Sequence, residues 1–242
     1  NISGKVKEYQ SSTVNLEKEL QTVIENNMSA FFGVTFLASE YRTTDGGRMD
    51  SIGIDENHCP VIFEYKRSMK ENVINQGLFY LNWLLDHKDS FKVLVINKLG
   101  LTFADKIDWT MPRVICIASD FTKYDESAIK QMNRNISLIR YKKFGKDLLM
   151  FEQINENIAS VIHEENAVNK PKSTDKTFEE QIAGADKEIK LLYQDLSNFI
   201  LSLGDDINES HLKLYAAFKK IRNIVTVVAL KKKLVINLPL DV

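Results

Sequence analysis

Cysteine is almost missing from this chain. Cys59 and Cys116 are the two in 242 residues. They are too few for a disulfide framework and lack the paired spacing of a metal site, so both read as free thiols of a reducing compartment. Long apolar runs are missing too. None approaches the about 20 residues of a membrane span, and "NISGKVKEYQSS" at the amino terminus has no apolar signal-peptide core. The expected location is the cytoplasm, with no membrane partner. A chain opening on Asn1 rather than Met is expected to be either a trimmed form or a fragment of a longer protein. Neither sign of charge is in excess: 32 Lys and Arg stand against 33 Asp and Glu, a net charge of -1. No bulk field therefore attracts nucleic acid, and any such binding has to be local. Repeats and low-complexity tracts are absent as well. What is present is an ordinary globular composition, 44% hydrophobic, enough for one medium domain or two small ones.

Periodicity supplies the element order. "TVNLEKELQTVIENNM" carries Leu16, Leu20, Val23, Ile24 and Met28 at helical spacing, which predicts an amphipathic helix. Residues 34–42, 48–55 and 60–67 read as three strands joined by turn-rich segments at Asp45-Gly46-Gly47 and Glu56-Asn57. "KENVINQGLFYLNWLLDHK" follows as a long helix, then "FKVLVIN" and "RVICIAS" as apolar strands. A strand, a crossover helix and a strand imply a parallel pair and an α/β layer. "DESAIKQMN" adds a helix before a last hairpin, "ISLIRYKKFG" and "KDLLMFEQI". The polar stretch "HEENAVNKPKSTDKT" then reads as a linker. The expected division is a domain over 1–162, a linker over 163–177 and a small α+β domain over 178–242. In that last domain one or two helices precede three strands, "HLKLYAAF", "NIVTVVALKK" and "KLVINLPLDV".

The segment "GGRMDSIGIDENHCPVIFEYKRS" puts four charged residues into what should be a hairpin. Side chains of a strand alternate faces. Arg48, Asp50, Ile52 and Ile54 therefore share one face, as do Ile62, Glu64 and Lys66, while Val61, Phe63 and Tyr65 fill the other. A turn centred on Asn57 sets Asp50 opposite Glu64. Two carboxylates that converge in the interior repel, and burial penalises each, unless a cation shares them. A hard divalent ion meets that need because it prefers carboxylate oxygens. Plain salt bridges, Arg48 with Asp50 and Glu64 with Lys66, are the alternative. Gln76 lies on the inward face of the following helix in line with Val73 and Tyr80, and Glu19 borders the apolar stripe of the first helix. A packing role for Gln76 and a solvated one for Glu19 stay open.

Glu19, Asp50, Glu64-Tyr65-Lys66 and Gln76, in the order helix, hairpin, helix, resemble the PD-(D/E)XK nuclease superfamily. Residues 31–68 look like the nuclease core of its NucS-type and RecB-like branch, in which a GxxD strand precedes an (I/V)xEYK strand. Here "GGRMD" supplies the Asp and "FEYK" the Glu and Lys, with Met49 where the family often has Pro. The resemblance covers about residues 12–155. It implies a restriction-endonuclease-like mixed sheet flanked by helices, followed by the smaller α+β domain. The implied activity is metal-dependent hydrolysis of phosphodiester bonds in DNA, although some members of the superfamily are inactive.

In the site that the resemblance implies, Asp50, Glu64 and the main-chain carbonyl of Tyr65 hold Mg²⁺ or Mn²⁺, with Glu19 as a further ligand, direct or through water. Lys66 orients a water or offsets charge on the phosphate, and Gln76 positions Lys66 or the phosphate. Arg48 and Arg42 are candidates for gripping the DNA backbone. The tail resembles a small domain of unknown role that often follows such nuclease-like domains and has been labelled a transport protein; nothing transmembrane supports that label. A catalytically inactive nuclease fold that binds nucleic acid, a protein partner at the C-terminal sheet edge and self-association are the other readings left open. "RYKK" at 140–143 and "KKK" at 231–233 are further candidate phosphate contacts.

Overall fold

A computed structural model describes residues 11–12, 17–66, 73–145, 148–157 and 176–239 of the chain. The first unit contains β1 (Ser11–Ser12), α1 (Glu17–Asn26), α2 (Met28–Phe32), β2 (Val34–Arg42), β3 (Arg48–Asp55), β4 (Pro60–Lys66), α3 (Val73–Asp86), α4 (Lys88–Leu99), α5 (Leu101–Ala104), β5 (Arg113–Ala118), α6 (Lys123–Ile129), β6 (Asn135–Phe144) and β7 (Leu148–Asn157). Its sheet runs β1-β6-β5-β4-β3-β2, with β7 also pairing β6. β4, β5 and β6 are parallel, whereas β2, β3 and β4 form an antiparallel meander. This is the mixed α/β sheet flanked by helices that the resemblance implies.

Alternation along β4 splits the core into two layers. Ile62 lies in the layer under α3 and α4, together with Leu81, Leu84, Phe91 and Val95. Val61, Phe63 and Tyr65 lie in the layer under α1 and α2, with Leu20, Ile24, Met28 and Phe32. β4 is central, paired on both sides, so a polar side chain within it, such as that of Glu64, is buried by position.

"FKVLVIN", expected as a strand, is helical within α4. Its β-branched residues favour a strand locally, yet Phe91 and Val95 are the ones that become buried, four apart, while Val93 is exposed. Packing on the sheet overrides propensity here, because the β4 to β5 crossover has to cover that face with helix.

The second unit contains α7 (Phe178–Ala183), α8 (Lys187–Ser202), β8 (Asn208–His211), β9 (Ala216–Lys219), β10 (Asn223–Leu230) and β11 (Lys233–Asn237). Its sheet has the order β11-β10-β9-β8. "HLKLYAAF", expected as one strand, is divided between β8 and β9 by a turn at 213–215, so four strands replace three. The linker expected over 163–177 lies outside the described residues up to residue 175. Among the described residues, no helix is long and apolar enough to cross a membrane.

The two sheets meet through a buried polar seam. Lys219 Nζ lies 3.0 Å from Glu156 Oε1, both nearly sealed from solvent. Asn208 Nδ2 and Ser137 Oγ donate to the two oxygens of the same carboxylate. Tyr215 OH and Asn223 Nδ2 both donate to Asn57 Oδ1 at 2.7 Å, and Asn223 N donates to Glu56 Oε2 at 3.0 Å. The second unit thus holds the turn of the β3–β4 hairpin.

Candidate active site

The ladder of the β3–β4 hairpin pairs Ser51 with Phe63 and Ile52 with Ile62, the register expected from a turn at Asn57. Beyond Ser51 and Phe63, carboxylates stand in for ladder partners. Asp50 N donates to Glu64 Oε1 at 3.2 Å, and Tyr65 N donates to Asp50 Oδ2 at 2.9 Å. Each acidic side chain therefore bonds the main chain of the opposite strand, which brings the two acids together at the point where regular pairing ends. Glu64 is fully buried on the central strand and Asp50 is nearly so.

Electrostatics makes this pair costly to ionise. Burial, reinforced by the charge of Asp50, pushes the Glu64 carboxyl up to about 9. Burial also raises Asp50, against the pull of the Tyr65 N–H and of Lys66. Among the described residues, Glu64 Oε2 is sealed in the interior with no hydrogen-bond partner, a condition that native structures rarely leave uncompensated. The donor set fits a hard divalent ion: two carboxylates, one with an orphaned oxygen, next to the main chain of Tyr65.

Because Glu64 is protonated in the folded protein up to a pH well above its unfolded value, its contribution to stability is fully present below about 4.5 and is lost as pH rises toward about 9. Metal-free protein is therefore expected to melt at progressively lower temperature between these limits, and Glu64→Gln should flatten that slope. Melting curves across pH check it; a wild-type slope identical to that of the variant would place the titration elsewhere.

The other predicted residues are placed as follows. Lys66 shares the Glu64 face, is half-buried, and its charge pulls both carboxyls down. Gln76 Nε2 lies 3.4 Å from Tyr80 OH, which also accepts from Arg48 N at 3.1 Å. Gln76 thus reaches the start of β3 through Tyr80 rather than by touching Asp50. Tyr65 turns its ring to the opposite layer, where its OH donates to Ser51 Oγ, leaving its main chain at the acidic pair.

Two placements are corrections. Arg48, expected to point to the interior with Asp50, is 56% exposed and pairs with Glu40 at 2.5 Å. It stands at the first residue of β3, across from Arg42, so the two arginines form an exposed basic edge. Glu19, expected beside the site, is 50% exposed and pairs with Lys143 at 3.3 Å. The reason is helical geometry: residues two apart on a helix face nearly opposite ways, and α1 buries Leu20, Gln21 and Ile24. Gln21 is the α1 residue that reaches Asp50, and the sequence signal for it is a polar side chain inside the apolar stripe. The "RYKK" run is also neutralised in part, since Arg140 pairs with Asp120 and Glu152.

No family model matches the chain. A Haemophilus influenzae protein described as uncharacterized is 32% identical over 247 residues, covering 98% of this chain and 82% of that one. Two solved structures are similar at lower levels. A repair endonuclease from Pyrococcus abyssi is 18% identical, with 56% of this chain and 50% of that chain covered and a TM-score of 0.35. A complex of EndoMS with double-stranded DNA is 19% identical, with 56% and 49% covered and a TM-score of 0.32. The chain spans about half the length of these solved structures.

Proposed function

The chain belongs to the same family as the uncharacterized Haemophilus influenzae protein, and from that premise we propose that it is a divalent-metal-dependent nuclease hydrolysing phosphodiester bonds of DNA. The observation that carries this reading is the buried Asp50–Glu64 pair, with an orphaned Glu64 oxygen, ending a hairpin ladder beside Lys66. Asp50, Glu64 and the Tyr65 carbonyl would hold Mg²⁺ or Mn²⁺, which when bound polarises a phosphate and acidifies a water. The chain's own groups do the rest. Lys66 places a positive charge where the phosphate gains negative charge, and Gln76 with Tyr80 fixes the entry of β3. Arg42 and Arg48 contact the DNA backbone, which positions a duplex without reading its sequence.

Adding Mn²⁺ should stabilise the fold by mass action, about 2.7 kcal/mol at a hundredfold excess over Kd, raising the melting temperature, and should switch on cleavage of plasmid or oligonucleotide DNA. Both effects should vanish in Asp50→Asn. Equal stabilisation of the two proteins would mean that the ion binds elsewhere and would sink this reading. The alternative is an inactive nuclease fold that binds nucleic acid. DNA binding without cleavage, with no response to Mn²⁺, would select it.

A further inference from the structure

We propose that Gln21 of α1 is a positioning residue that fixes Asp50 through its main chain, an inference that rests on the nuclease reading for its catalytic meaning but not for its geometry. Gln21 is 4% exposed. Its Nε2 points at the carbonyl of Asp50 and at Glu25 Oε1, both at 2.8 Å, with Ser39 Oγ at 3.1 Å. Its Oε1 faces Lys18 Nζ at 3.2 Å. This arrangement defines the amide orientation, because the carbonyl of Asp50 and a carboxylate of Glu25 both need a donor.

Asp50 is thereby held from two layers at once. From the α3 side its carboxylate accepts the Tyr65 N–H and its own N–H donates to Glu64. From the α1 side Gln21 takes its carbonyl. The same helix reaches the far end of the pair, since Glu25 Oε1 accepts from Ser51 Oγ at 2.6 Å, and Ser51 Oγ accepts from Tyr65 OH at 3.1 Å. Gln21 therefore ties together the two residues that flank the ladder break, Asp50 directly and Tyr65 through Glu25 and Ser51.

Opposite Asp50, between the Ser39–Ser51 and Tyr41–Met49 pairs, Glu40 adopts a left-handed φ of 53°. A non-glycine residue held there is strained, and such residues cluster at functional sites. Lys18 of α1 lies 2.9 Å from the Glu40 carboxylate. So α1 braces both strands at the level of Asp50. A carboxylate at position 21 could not do this, because it would face the Asp50 carbonyl and Glu25 with no hydrogen to give.

The test uses Gln21→Glu, which keeps the shape and loses the donors, and Gln21→Met, which carries the test if the first fails to fold. Amide hydrogen exchange reads the positioning without any metal or substrate. The amides of Asp50 and Tyr65, whose partners are the two carboxylates, should exchange at least about tenfold faster relative to the Phe63 amide, which serves as an internal standard against global loosening. Calorimetric titration with Mn²⁺ should show about ten- to a hundredfold weaker binding, the usual cost of losing an outer-shell partner. Unchanged exchange ratios and unchanged Mn²⁺ affinity would overturn the assignment. Faster exchange in the variants, together with a wild type that cuts no DNA, would support Gln21 as the brace and defeat the nuclease reading separately.

Discussion

Lys66→Ala is expected to slow DNA cleavage by about a hundred- to a thousandfold while leaving Mn²⁺ binding in place. A preorganised donor removed from a site of developing charge typically costs that much in turnover. Lys66 follows Glu64 by two residues on the same face, and its charge already acts on both Asp50 and Glu64. An ammonium cannot ligate a metal, so its value is greatest where negative charge grows on the phosphate during reaction. Two opposite effects keep the metal affinity near its original level. Losing the cation removes its repulsion of the incoming ion, and it also lets both carboxyls hold their protons more tightly. Single-turnover cleavage, calorimetric Mn²⁺ titration and thermal melts on the same samples check the result. If Lys66 merely pairs with Glu64, the variant should lose stability and keep its rate. A folded, metal-binding variant that cuts at the wild-type rate would remove Lys66 from the chemistry.

Breaking the seam between the sheets should cost about 3–5 kcal/mol, the penalty for leaving one member of a buried ion pair without its partner. In Lys219→Ala, the Glu156 carboxylate would stay buried with, among the described residues, the neutral donors Ser137, Asn208 and Gln153. Combining Lys219→Met with Glu156→Gln should recover most of the loss, because the amide keeps an acceptor for those donors and no charge is left to solvate. Urea melts of the three proteins make the comparison. Lys219→Ala melting like wild type would show that water reaches the seam in solution. The same loss should reach the hairpin turn, where Glu56 and Asn57 accept from Asn223 and Tyr215.

Residues close in sequence settled a good part of this architecture. The strands 34–42 and 48–55 are legible from alternation and turn residues, and they match β2 and β3. The short turn at Glu56-Asn57 fixes the hairpin register, so Asp50 and Glu64 converge as the sequence predicts. These features depend on the period of a strand and the reach of a turn, which act over a few residues. The tertiary structure alone decided the rest. Whether "FKVLVIN" becomes helix or strand depends on what lies across the sheet from it, and the helical layer over β4 and β5 made it α4. Which face of α1 meets the site depends on how that helix is rotated on the sheet. Burying Leu20 and Ile24 turned Gln21 inward and sent Glu19 out to Lys143. Arg48 has the parity of Asp50 but stands at the sheet's open end, where solvent and Glu40 outcompete a buried partner. The seam joining Lys219 to Glu156 links residues 63 positions apart, a pairing that no local pattern encodes because only packing of the two sheets brings those side chains out of water together.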